Sequence, residues 1–283
     1  MVTPRYERPR HLQEALAELA QAPYTVIAGG TDVYPAHVTR PLPRTLLDIS
    51  RLSELRGVQA IDGSLRLGAL LTWREIAQAA LPPAARCLAQ AAQEVGGVQI
   101  QSRATIGGNL CNASPAADGV PPLLALDARV ELASAAGRRA LPLSEFILGN
   151  RRTACRPDEL LVAIRLPARS PAARSVFLKL GARRYLVISI AMVAVVLDFD
   201  ARGHVAYCGV AVGACAARAQ RLPALEAALL GAAPAQLPAR AAEALAGEAL
   251  APLAPIDDVR GSAAYRLAAV RTLLTRAIEE LSG

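Results

Sequence analysis

Two glycine pairs carry the chemistry this sequence offers. The first, Gly29-Gly30, ends a short apolar run and leads into Thr31 and Asp32. Glycine lacks a Cβ and tolerates positive φ, so adjacent glycines let backbone amides come close to an anion, and Thr31 adds a hydroxyl donor. Alone the pair is a weak signal. It has neither the G-x-G-x-x-G spacing of a Rossmann turn nor the G-K-[ST] ending of a P-loop, and an ordinary strand-to-helix turn stays open as a reading. The second pair sits in Thr105-Ile106-Gly107-Gly108-Asn109, followed by Asn112, Ala113, Ser114, Pro115 and Asp118. That segment gathers hydroxyls, amides and a carboxylate within fourteen residues. Such a set suits a diphosphate, through the amides, and sugar hydroxyls, through Asp118. A plain polar loop is the alternative, although such loops rarely repeat the Gly-Gly device used earlier in the same chain.

The other reactive side chains do not form a recognisable set. Cys87, Cys111, Cys155, Cys208 and Cys215 are odd in number and widely spaced, without a C-x-x-C pair, and His11, His37 and His204 are equally scattered. Reduced, mostly buried thiols are expected, not a disulfide framework, a zinc site or an iron–sulfur site. The net charge of +7 comes from arginine, for Lys179 is the only lysine, and the arginines are dispersed rather than collected into a basic run. Nucleic acid is therefore not an expected partner.

A chain of 283 residues, 53% hydrophobic and 19% charged, is neither disordered nor collagen-like and is long enough for two domains or one large lobed one. Its longest apolar run, Leu186 to Leu197, falls short of the roughly 20 residues a membrane helix needs. Charges at Arg5, Glu7, Arg8 and Arg10 with no hydrophobic segment behind them do not read as a secretory signal. No transmembrane segment and a cytoplasmic location are the expectations.

Period and punctuation place the glycine loops among regular elements. A helix from His11 to Ala20, a strand from Tyr24 to Ala28 and another from Leu46 to Ile49 frame the first loop. A hairpin joins Val58–Ile61 to Leu65–Leu67 through Asp62-Gly63, a strong two-residue turn signal. Helices follow at Trp73 to Ala80, where Thr72 and Glu75 make a capping box, and at Pro82 to Val95. Gln99 to Pro122 reads as one long irregular loop, of a length that is usually functional. Strands return at Ala128–Ala133, Ala140–Leu143 and Leu160–Leu166, and Pro167 to Ala173 reads as a linker. Beyond it come strands at Ser175–Leu180, Val187–Asp198 and His204–Gly213, then helices at Leu222–Leu230, Leu237–Ala246 and Ala263–Leu281. This last part is a smaller α+β unit, an antiparallel sheet backed by helices.

The segments Val26-Ile27-Ala28-Gly29-Gly30-Thr31-Asp32, Ala104 to Asn109, Asn112 to Asp118, Glu159-Leu160-Leu161 and Lys179 to Ser189 run in this order along nearly the whole chain. In that order and spacing they resemble the FAD-binding, or medium, subunits of the molybdenum hydroxylases, of the xanthine dehydrogenase and aerobic carbon monoxide dehydrogenase type. The resemblance implies a two-lobed FAD-binding domain of the vanillyl-alcohol-oxidase-like (PCMH) type over residues 1–170, with lobes at about 1–56 and 57–170. A smaller α+β domain of the carbon monoxide dehydrogenase flavoprotein type would occupy 174–283.

It also implies where the cofactor lies. The first loop, Val26, Ile27, Ala28, Gly29, Gly30, Thr31, Asp32 and Val33, would hold the FAD diphosphate together with Thr105, Ile106, Gly107, Gly108 and Asn109. Ser114 and Asp118 would add polar contacts, Val95 and Leu161 apolar ones, and Lys179 a cationic one; for Lys179 a solvated strand-end charge is the other reading. Many relatives carry an acidic residue facing the flavin ring where this chain has Gly181-Ala182-Arg183-Arg184-Tyr185-Leu186-Val187-Ile188-Ser189. The implied activity is electron transfer: electrons from a molybdopterin-binding large subunit, by way of a [2Fe–2S] small subunit, reach FAD and pass to an external acceptor such as NAD. A stand-alone flavin-dependent oxidase or reductase of the same fold is the alternative. FAD would be the one redox centre of the chain.

Overall fold

The computed structural model describes residues 5–184 and 186–283; Tyr185, within the stretch that departs from many relatives, lies outside the described residues. The first sheet has three parallel strands, β1 (Arg5–Glu7), β2 (Thr25–Ile27) and β3 (Thr45–Asp48), in the order β1-β3-β2. Helix α1 (Leu12–Gln21) crosses over between β1 and β2 and buries Leu12, Ala15, Leu16 and Leu19, the 3-4 spacing of one helical face. Its first amide, Leu12 N–H, donates to Glu54 at 2.7 Å, while the Glu14 carboxylate reaches back to accept from the Arg10 and His11 N–H groups ahead of the helix at 2.9 and 3.2 Å. Strand β1 was not expected, since three polar and aromatic residues carry no periodic signal. It is held by backbone pairing to β3.

The second sheet is antiparallel, in the order β4-β5-β10-β6-β7. Its strands are β4 (Val58–Ile61), β5 (Ser64–Gly68), β6 (Arg129–Ser134), β7 (Gly137–Pro142) and β10 (Leu160–Leu166). At the expected turn between β4 and β5, Asp62 and Gly63 both take positive φ, +49° and +75°, as a tight hairpin of this hand requires. A small ribbon, β8 (Ile147–Gly149) and β9 (Arg152–Thr153), follows the short helix α7 (Leu143–Phe146).

Between β5 and β6 run α2 (Trp73–Gln78), α3 (Arg86–Glu94), α4 (Val98–Gln101), α5 (Ile106–Asn112) and α6 (Val120–Ala125). The expected irregular loop from Gln99 to Pro122 is thus corrected to the end of α4, all of α5 and the start of α6. Thr105 caps α5, its hydroxyl accepting from the Gly108 N–H at 3.1 Å. The glycine pair lies in the first turn, where amides lack helical partners in any case. Pro121 and Pro122 open α6, which its first turn tolerates because those positions need no N–H donor.

The third sheet, antiparallel in the order β11-β12-β13-β14, joins β11 (Arg174–Leu180), β12 (Ala191–Phe199), β13 (Val205–Gly213) and β14 (Gln220–Arg221). Its two faces serve two cores. Val193, Val195 and Leu197 point toward α8 (Pro223–Leu229), α9 (Leu237–Ala246) and α10 (Ala263–Ser282), while Met192, Ala194 and Val196 join Leu88 and Leu123 of the preceding half. Burial on both sides explains the nearly continuous apolar run of β12. That strand begins at Ala191 rather than at Val187. Leu186 stands at φ +53° and its carbonyl accepts from the Arg183 guanidinium, which bends the chain before pairing starts at Leu180 and Ala191.

The segment expected as a linker is irregular but stapled down. The Ser170 N–H donates to Asp198 at 3.0 Å, and the Arg169 guanidinium lies 3.4 Å from the centre of the Tyr207 ring. The architecture is a two-domain α+β fold whose halves share one continuous core. No helix among the described residues is long and apolar enough to cross a membrane.

Candidate functional site

Strand alternation at β2 decides which residues of the first loop meet open space. Ile27 turns into the core, 3% exposed, whereas Val26 and Ala28 face a cleft. Gly29 follows with no room for a side chain: a Cβ there would stand 2.0 Å from the Arg103 carbonyl oxygen. Two backbones therefore touch at Gly29 because it is glycine. Gly30 takes φ +75°, which turns the chain into Thr31, Asp32 and Val33 along the same cleft.

The opposite wall is the N-terminal turn of α5. Gly107 N–H donates to the Ala69 carbonyl at 2.9 Å and Ile106 N–H to that of Leu71 at 2.9 Å, which ties this turn to the end of β5. Gly108 and Asn109 face the cleft from that turn. A Cβ on Gly108 would meet only the Thr105 hydroxyl, at 3.0 Å. The backbone here is bare toward the cleft and backed by protein behind.

The two walls enclose about 530 Å³, within the usual range for small-molecule sites. Thirteen expected site residues line it: Val26, Ala28, Gly29, Gly30, Thr31, Asp32, Val33, Val95, Thr105, Gly107, Gly108, Asn109 and Leu161. Further lining comes from Tyr24, Ile49, Trp73, Ile100 and the Cys155–Pro157 turn, none of which carries a sequence signal of its own. Burial and a 2.7 Å hydrogen bond to Glu18 push the Tyr24 phenol up to about 12, so it stays protonated. Two polar atoms of lining residues, Trp73 Nε1 and Asn109 Oδ1, are closed off from the cleft and lack a partner among the described residues. Side-chain-free glycine backbone on both walls and apolar flanks fit an elongated ligand with a diphosphate and flat rings.

Five expected site residues lie off this lining. Ile27 and Ile106 are buried in the core, as the strand and helix periods demand. Ser114 accepts the Ala116 N–H at 3.3 Å within a turn. Asp118 and Lys179 pair with one another: Lys179 Nζ donates to Asp118 Oδ2 at 2.8 Å, and the side chains are only 10% and 5% exposed. The reading of Lys179 as a solvated strand-end charge is thereby corrected. The Ser189 hydroxyl donates to the other Asp118 oxygen at 2.6 Å, and Lys179 also donates to the Glu94 carbonyl at 3.0 Å. Burial pushes the Asp118 carboxyl up, against the pull of the ammonium and the hydroxyl. The pair reaches the cleft through the end of α3, because Val95, next to Glu94, forms part of its wall.

Near the other end, Glu159 is buried and saturated. It accepts two bonds from the Arg139 guanidinium, at 2.6 and 2.8 Å, and one from the Arg156 N–H at 2.8 Å. The arginine holds its carboxyl below the ordinary carboxylate range. This fixes the start of β10, from which Leu160 and Leu161 enter the cleft.

Comparison with known proteins gives a consistent picture. The family described as FAD binding domain in molybdopterin dehydrogenase matches residues 2–169, and that of the CO dehydrogenase flavoprotein C-terminal domain matches 177–281. The chain is 33% identical to a xanthine dehydrogenase FAD-binding subunit of Escherichia coli O157:H7, over 97% of this chain and 94% of the relative. It is 31% identical to the carbon monoxide dehydrogenase medium chain of Hydrogenophaga pseudoflava, over 98% and 97%. Among solved structures, reconstituted CO dehydrogenase from Oligotropha carboxidovorans superposes with a TM-score of 0.91 at 27% identity, covering 100% of this chain and 99% of that one.

Proposed function

The chain belongs to the family of FAD-binding subunits of molybdopterin dehydrogenases, and on that premise we propose that it is the electron-transfer subunit of a heteromeric complex. It is an oxidoreductase subunit and its cofactor is FAD. FAD, when bound, would supply the redox chemistry by which electrons from a molybdopterin-binding large subunit, carried by way of [2Fe–2S] clusters on a small one, pass to an external acceptor such as NAD. Residues 1–170 act as the FAD-binding unit, and 174–283 complete it from behind α3 and α6.

The observation that carries this reading is the cleft between Gly29–Val33 and Thr105–Asn109. Amides of the loop that follows Gly29 hold the diphosphate, and the side-chain-free backbone at Gly107 and Gly108, whose own N–H groups are bonded to Ala69 and Thr105, lets it come close from the other wall. Val26, Val95 and Leu161 supply apolar contact to the rings. Asp118 and Lys179 set the wall at Glu94–Val95 rather than standing as separate charges.

The test is flavin and metal analysis of the native complex, together with titration of FAD into the purified chain. One noncovalent FAD per chain, released intact by acid, and co-purification with molybdopterin and [2Fe–2S] subunits are expected. A chain that binds no FAD, or that purifies as an active oxidase without partners, would overturn the reading.

A further inference from the structure

The two walls of the cleft meet again beyond the glycine contact. Asn112, at the end of α5, donates from Nδ2 to Asp32 Oδ1 at 2.9 Å, and its own Oδ1 accepts from Arg151 Nη1 at 2.8 Å. Asp32 and Asn112 both line the cleft, one from each wall. Arg151 braces them from the turn between β8 and β9. The chain thus closes over the cleft at two separated points. One is the fixed backbone contact of Gly29 with Arg103; the other is a chain of three polar side chains.

The second closure is built so that it can open. Both side-chain bonds are exposed to solvent, where exchange with water leaves each with little net worth. The backbone beneath them is constrained. Arg151 stands at φ +53° and Ala113 at φ +46°, left-handed conformations that non-glycine residues seldom adopt. The Arg151 N–H donates to the Ala113 carbonyl at 2.9 Å, which locks the two together. A strained backbone that aims one guanidinium at one amide is a positioning device more than a packing accident.

We propose that Asp32, Asn112 and Arg151 form a latch that retains FAD, closing the loop that follows Gly30 onto the end of α5 after the cofactor has entered. This rests on the reading of the cleft as the FAD site. The latch acts on the rate at which the cofactor leaves. Asn112 and Arg151 are positioning residues: they hold Asp32 and thereby the diphosphate loop.

The experiment is stopped-flow release of FAD from the reconstituted full chain, followed by flavin fluorescence, with thermal melting of the deflavinated protein alongside. Arg151→Ala and Asn112→Asp are each expected to speed release by roughly tenfold or less, the worth of one to two hydrogen bonds, with the melting midpoint of the deflavinated chain unchanged. Asp32→Asn combined with Asn112→Asp reverses donor and acceptor while keeping both bonds, and is expected to restore slow release. Release at the parental rate in Arg151→Ala and Asn112→Asp would overturn the latch and leave the FAD site standing. Faster release accompanied by an equal loss of midpoint in the deflavinated chain, with no rescue by the double variant, would overturn it in favour of a structural role. A parent chain that takes up no FAD would overturn the underlying reading, and the latch with it.

Discussion

Gly29 and Gly108 both lie on the cleft, yet each is glycine for a different reason. At Gly29 a Cβ would press on the Arg103 carbonyl at 2.0 Å, backbone against backbone, so neither side can give way. Gly29→Ala is expected to part the two walls, lowering both the melting midpoint and FAD binding. At Gly108 the Cβ would meet only the Thr105 hydroxyl at 3.0 Å and would otherwise project toward the ligand. Alanine is the better helix former by up to about 1 kcal/mol, so Gly108→Ala is expected to keep the midpoint or raise it slightly while weakening FAD affinity by roughly tenfold, about 1.4 kcal/mol. Titration of FAD and thermal melting of both variants separate the two cases. Parental affinity in Gly108→Ala would show that the cofactor does not approach the backbone at this position.

At the scale of elements, the start of β10 depends on one carboxylate. Arg139 of β7 holds Glu159 ionised by a bidentate bond, and the folded state keeps its carboxyl below the ordinary 4.5. A carboxyl depressed on folding contributes stability that is present above the unfolded value and is lost as pH falls through the folded one. Melting curves of the parent and of Glu159→Gln are therefore expected to differ most near about pH 7 and to converge as pH drops below about 4.5. A gap that stays constant across this range would assign Glu159 a role in packing alone. Little of this element's work was legible beforehand, although Leu160–Leu166 was clear as a strand. What a sequence shows well is local: glycine pairs, the Asp62-Gly63 turn, the Thr72 and Glu75 cap, and long apolar strands such as β12. Helices α4, α5 and α6 escaped because runs of four to seven residues fall below the length at which helices form unaided, and tertiary contacts hold them. Trp73 and the Cys155–Pro157 turn escaped for a related reason: only the pairing of β5 with β10 brings them to one cleft.

At the scale of the whole molecule, the two halves are joined by burial, by the Arg221–Asp127 ion pair and by an enclosed charge pair. Phe177, Met192, Ala194, Val196 and Ala211 of the third sheet pack with Leu88, Leu123 and their neighbours, while the Phe177 N–H donates to Gln90 Oε1 at 2.8 Å and the Tyr207 hydroxyl to the Ala125 carbonyl at 2.6 Å. Within this junction Asp118 comes from one half and Lys179 from the other, and the only lysine of an arginine-rich chain is almost wholly enclosed. A compact ammonium reaches both Asp118 and the Glu94 carbonyl, where the wide planar guanidinium would need more room. Removing one partner of a buried pair strands the other charge, at a cost of about 3–5 kcal/mol, whereas removing both costs far less. Lys179→Met and Asp118→Asn are therefore each expected to lower the melting midpoint by on the order of 10 °C, and the double variant to recover most of that loss. Affinity for FAD follows the same pattern if the pair acts by holding Glu94 and Val95 in place: lost in each single variant, regained in the double. Stability that recovers in the double variant while affinity does not would mean that the ammonium itself holds the cofactor. Single variants as stable as the parent would show that the junction does not depend on the pair at all.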